Sequence, residues 1–126
     1  MFELTINDKV FQFKFGMGFL REINNKYQKP IDGLPGAKEN IGLQLLFTGV
    51  VQGGTEYLVE ILDAANKGQN PRVTRALIDQ YIDDCEDIDK LFDDVVEGLK
   101  SANATKKVAM AIWEELEKQK EQANAN

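Results

Sequence analysis

Apolar and polar residues alternate at the start of the chain and then change period. Phe2, Leu4 and Ile6 alternate with Glu3 and Thr5, and after Asn7-Asp8-Lys9 the alternation returns with Phe11, Phe13 and Phe15 around Gln12 and Lys14. A period of two puts each set on one face of a strand, and Asn and Asp accept the conformations of a tight turn. The pattern predicts a β-hairpin over residues 2–15. Two strands alone are marginal in water, so the aromatic face is expected to lie against helices.

At Gly16-Met17-Gly18 the spacing becomes three and four. Met17, Leu20, Ile23 and Tyr27 form the stripe of an amphipathic helix over 17–28, leaving Arg21 and Glu22 to face solvent or a partner. The two glycines are expected to relieve steric limits where strand turns into helix. Pro30, Gly33, Pro35 and Gly36 then mark a loop. A second helix is predicted over 38–52, with Ile41, Leu45, Leu46, Phe47, Val50 and Val51 spread over so wide an arc that it should be the central, buried one.

Gly53-Gly54 ends that helix. Thr55 is the expected N-cap of a third helix carrying Leu58, Ile61, Leu62 and Ala65, and Thr74 that of a fourth carrying Leu77, Ile78, Tyr81 and Ile82. Asp87 is placed to cap a fifth, with Ile88, Leu91, Phe92, Val95, Val96 and Leu99. Thr105 is placed to cap a sixth, with Val108, Ala109, Ile112, Trp113 and Leu116. After Leu116 the only apolar residues are Ala123 and Ala125, so residues 117–126 read as a frayed, flexible tail. The expected fold is mainly α, of α+β type: an N-terminal hairpin and about six helices in one compact helical domain over 1–116.

Totals sharpen this only a little. A chain of 126 residues suits one domain. Its 15 basic and 21 acidic side chains give a net charge of -6, the wrong sign for a phosphate-backbone binder. The single cysteine, Cys85, precludes an internal disulfide. The N-terminus lacks the pattern of a signal peptide, and the apolar run over 45–51 is far shorter than the ~20 residues of a membrane span. The expectation is a soluble protein of the cytoplasm.

Candidate chemistry is sparse. Gly16-Met17-Gly18 lies where a dinucleotide-binding turn would, but Arg21 occupies the third glycine position and the strand belongs to a hairpin, so a plain strand-to-helix turn is the better reading. Nine carboxylates fall between Asp79 and Glu97, yet no glycine stands where a calcium loop needs one. At helical spacing, Asp79/Asp83 and Asp89/Asp93 point away from the apolar stripes, which describes a solvated face. Cys85 sits between Asp84 and Glu86, the opposite of the electropositive setting that activates a nucleophile. With no histidine in the chain, neither Cys85 nor Ser101 has an evident base. The expectation is no enzyme, no cofactor and no metal. Trp113 fits either core packing or an interface anchor.

The segment FKFGMGFLREI (residues 13–23) resembles the N-terminal signature of the tail assembly chaperones of long-tailed bacteriophages, in the branch of phages and prophages of Gram-positive bacteria. The resemblance continues through VTRALIDQYIDDCEDIDKLFDDVVEGLKSANATKK (residues 73–107), where an acidic helix pair leads into a Ser-Ala-Asn-Ala-Thr-Lys-Lys corner. It implies a non-enzymatic, largely helical protein of the host bacterial cytoplasm. Such a protein binds and solubilises the tape measure protein, helps recruit tail tube protein subunits and is left out of the mature virion; coating so long a chain would also take self-association. It also implies the short form of a pair whose longer, frameshifted form would continue from the C-terminus.

A tape measure chain is long, helical and apolar-striped, and such stripes aggregate unless covered. The surface expected to cover them combines Phe15, Met17 and Phe19 of the glycine turn with Ile112, Trp113 and Leu116 of the last helix, since Met and Phe suit adaptable apolar contacts. The alternative reading is an acidic helical adaptor or regulator that binds a basic protein partner through residues 79–97.

Overall fold

The computed structural model describes residues 2–124. Strands β1 (Phe2–Ile6) and β2 (Lys9–Phe13) pair antiparallel, with Phe2 opposite Phe13 and Ile6 opposite Lys9. The connecting residues Asn7 and Asp8 have φ of 50° and 65°. This left-handed pair matches the right-handed twist of a two-residue hairpin, which is why Asn and Asp serve there. Phe11, Phe13 and Phe15 are all buried, as the alternation predicts.

Six helices follow. α1 (Met17–Lys26) leads into a second, short hairpin of β3 (Gln28–Pro30) and β4 (Lys38–Asn40), then come α2 (Gly42–Val51), α3 (Thr55–Asn66), α4 (Arg75–Asp84), α5 (Ile88–Ser101) and α6 (Lys106–Asn124). α2 touches α1, α3, α5 and α6, and buries Leu43, Leu46, Phe47 and Val50. It is the central helix. Its beginning differs from the expected 38–52: Lys38–Asn40 is strand, and the Ile41 N–H donates to the Tyr27 carbonyl at 2.9 Å to close the ladder. Neither strand of this hairpin has an apolar face; all six residues are exposed, held by a Lys29–Glu39 ion pair at 3.0 Å and by the Gln28 side-chain amide, which donates a hydrogen bond to Asn40 Oδ1 at 2.8 Å. No alternation announces such a pair.

The helix can begin only at Gly42. A Cβ there would lie 2.1 Å from the Ile23 carbonyl oxygen, because the first turn of α2 rests on the backbone of α1. The glycines before α1 play a different part from the one expected. Gly16 has a φ of -102°, and a Cβ there would meet only the flexible end of the Lys14 side chain at 3.1 Å, while a Cβ at Gly18 would meet nothing, so neither glycine is demanded by the turn. The buried face of α1 is Phe19 and Ile23, with Leu20 and Tyr27 packed beside them, while Met17 is exposed. The stripe keeps Leu20, Ile23 and Tyr27 as expected, but Phe19 takes the inward place expected of Met17.

Caps follow local chemistry in two of four cases. Thr74 Oγ1 accepts from the Leu77 N–H at 3.2 Å, and Asp87 Oδ1 from the Lys90 N–H at 3.0 Å. The N-cap of α3 is Gly54, with Thr55 already inside the helix. Thr105 precedes α6 and its carbonyl accepts the first helical bond from Ala109, but its buried hydroxyl donates to the Leu99 carbonyl at 2.6 Å, fastening α6 to the end of α5. Beyond Leu116, α6 runs on to Asn124 with every residue exposed. The end of the apolar pattern marks where packing stops, while good helix formers carry the backbone further. Residues 125 and 126 of the expected tail lie outside the described residues.

A polar frame joins the hairpin to the helices. Asn66, at the end of α3, is fully buried: its amide donates to the carbonyls of Gln12 and Pro71 at 2.9 and 3.2 Å, and its oxygen accepts from Val73 N–H at 2.7 Å and Arg72 at 3.1 Å. Beside it, Lys26 and Arg75 both reach Glu60, and Arg75 and Arg72 both reach Asp63. Burial alone would raise the Glu60 pKa, but hydrogen bonds from Arg75 and Lys26 hold its carboxyl below the ordinary value.

Candidate functional site

The six residues expected to form one binding surface are divided by the fold. Phe15 and Phe19 are core residues, 7% and 4% exposed. Their rings meet edge-on at 5.3 Å, Phe2 stacks on Phe15 at 5.9 Å, and the Phe15 ring lies on Gly98 of α5, where a Cβ would sit 2.6 Å from it. Only Met17 of that trio is exposed, at 50%. It borders a groove of about 640 Å³ between the glycine turn and the α5–α6 corner, with Phe2 and Phe15 behind it and residues 101–104 opposite.

Trp113 and Leu116 belong to a separate groove, while Ile112 is packed against the core. This second groove measures about 1220 Å³ and runs between the end of α2, α5 and the outer part of α6. Its floor is apolar: Val51, Ile88, Phe92, Val96, Trp113 and Leu116. Its rim is charged: Asp89, Asp93, Glu97 and Glu117, with Lys120 the one basic side chain lining it among the described residues. Trp113 is half-buried, and the Lys100 ammonium stands 3.9 Å from its ring centre. Lys100 in turn pairs with Glu97 at 3.1 Å, so the indole is oriented by a charge on its face. Val51, Ile88 and Phe92 read in the sequence as ordinary stripe residues. The one available hint was that α5 carries apolar residues at 88, 91, 92, 95, 96 and 99, a face wider than one neighbouring helix covers.

The acidic run is exposed throughout, as a solvated face should be. Lys90, the single basic residue within it, pairs with Asp94 at 2.7 Å, and that hydrogen bond raises its pKa. Among the described residues no group of three or more Cys, Asp or Glu is placed to hold a metal ion. Cys85 ends α4, half-buried, and Ser101 spends its hydroxyl on the Glu97 carbonyl at 2.7 Å. Among the described residues, no helix is long and apolar enough to cross a membrane. What this architecture offers a partner is apolar concave surface with charged borders.

No curated protein and no solved structure matches the chain. The family described as phage tail assembly chaperone protein, TAC, matches residues 3–114, from the first hairpin into α6 just past Trp113. That match takes in nearly every element of the fold, and the chain belongs to the phage tail assembly chaperone family.

Proposed function

We propose that this protein acts without catalysis by holding the tape measure protein soluble in the host cytoplasm and helping to bring tail tube subunits to it, leaving before the virion is complete. The family match over residues 3–114 is the observation that carries this reading. The form of the surface supports it: two apolar grooves on a chain of net charge -6 suit a coat that must be adhesive on one side and soluble on the other. Several copies along one tape measure chain would cover its length, so self-association belongs to the same proposal. The contact residues assigned to it are Met17, Trp113 and Leu116, with Phe15, Phe19 and Ile112 as the packed layer beneath them.

Co-expression with the cognate tape measure protein tests this reading. The expected result is a tape measure protein that is soluble only alongside this chain and co-elutes with several copies of it. Apolar contact should hold the complex together through a wash in molar salt, with screening of the charged borders only weakening it, whereas an acidic adaptor would release a basic partner. A tape measure protein equally soluble alone would overturn the proposal.

A further inference from the structure

We infer that the groove between α2, α5 and α6 receives one amphipathic helix whose apolar stripe is flanked by lysine or arginine. The inference rests on the chaperone reading for its setting, but its argument is geometric. On α5, Ile88, Phe92 and Val96 line the groove at four-residue steps, and Asp89, Asp93 and Glu97 repeat the same steps one position on. Residues four apart share a helix face, so an apolar row and an acidic row run side by side along the groove. An occupant that satisfies both must carry the same two rows, apolar and basic, along its own length.

Three observations select a helix with basic edges over other occupants. Among the described residues, the groove is lined by helices and the turn after α2, with no strand edge in it. An extended segment covering the apolar floor would therefore bury backbone groups without partners, whereas a helix satisfies its own. At about 1220 Å³ the groove exceeds the ~300–1,000 Å³ typical of small-molecule clefts. Finally, the acidic row is poorly matched within the chain. Glu97 pairs with Lys100, but Asp89 and Asp93 make no ion pair among the described residues and repel each other across one turn of α5. A basic partner relieves that repulsion.

Trp113 is the only tryptophan of the chain and lines this groove, so its fluorescence reports occupancy directly. The probes are two tryptophan-free synthetic helices of about five turns with one leucine stripe, flanked by lysine in one and by glutamate in the other. Titrated into the full-length protein, the lysine-flanked helix is expected to shift Trp113 emission and to bind at least about tenfold tighter than its counterpart. The double variant Asp89→Asn/Asp93→Asn should erase most of that preference while keeping the wild-type far-UV circular dichroism, since it leaves the floor intact and the repulsion it removes offsets the loss of the Asp89 carboxylate from the first turn of α5. Asp32→Asn, which removes a charge from the exposed turn between β3 and β4, should change neither. Equal binding of both probes, no response of Trp113, or an undiminished preference in the double variant would each overturn the inference. Co-expression separates this from the wider reading. If the double variant solubilises the tape measure protein as well as wild type does, the groove assignment fails and the chaperone function stands; if wild type does not solubilise it, the function fails and the titration still judges the groove.

Discussion

Asn66 ties α3 to the first hairpin, and Glu60 ties the same helix to α1 and α4. Asn66 uses both amide hydrogens and both lone pairs of its oxygen, all inside the protein. Asn66→Ala leaves a buried N–H at Val73 and half-buried carbonyls at Gln12 and Pro71 without this partner, and is expected to cost about 3 kcal/mol in urea denaturation. Glu60 sets a pH dependence. Its folded carboxyl ionises at lower pH than its ordinary value of 4.5, because Arg75 and Lys26 overcome the effect of burial. Its contribution is therefore complete above about pH 4.5 and fades as the pH falls through the lower folded value. Glu60→Gln should lose about 1 kcal/mol at pH 7, and the gap between variant and wild type should narrow on descending toward pH 3. A gap independent of pH would show that the ion pairs do not stabilise the fold. Gly42 has no room for a side chain, and Gly42→Ala should cost ~3 kcal/mol by prying α2 from α1.

At the level of elements, what local chemistry dictates was legible in the chain, and what neighbours dictate was not. The alternation of phenylalanines marks β2, Asn7-Asp8 marks its turn, and Thr74 and Asp87 mark the starts of α4 and α5, each because the deciding groups lie within a few residues. Phe19 was misplaced because Met17 fits the three-and-four spacing equally well, and only contact with Phe15 decides which residue turns inward. The β3–β4 hairpin escaped notice because it has no apolar face to leave a pattern. Thr105 reads as a cap from sequence, but the Leu99 carbonyl lies nearer to its hydroxyl's use. For α6, the end of burial at Leu116 carries a prediction: deleting residues 117–126 should move Tm by no more than about 2 °C, as checked by circular dichroism, since no residue from 117 to 124 is buried.

For the molecule as a whole, the division of one expected surface into two grooves changes how its mutations should behave. Phe19→Glu places a charge in the core and should unfold the protein, so it says nothing of binding. Exposed Met17 and the rim of the larger groove are where binding can be altered with the fold kept. Fold class was readable from hydrophobic period alone. The binding surface was not, because a groove is made by the gaps between α2, α5 and α6, and those gaps are set by packing that no single segment encodes.

The most direct test of the chaperone account is light scattering from the cognate tape measure protein diluted out of denaturant, with and without this chain. The account predicts that molar excess of the chain suppresses the scattering and leaves a soluble complex containing several copies per tape measure chain. Scattering that rises unchanged in the presence of folded, excess protein would contradict it.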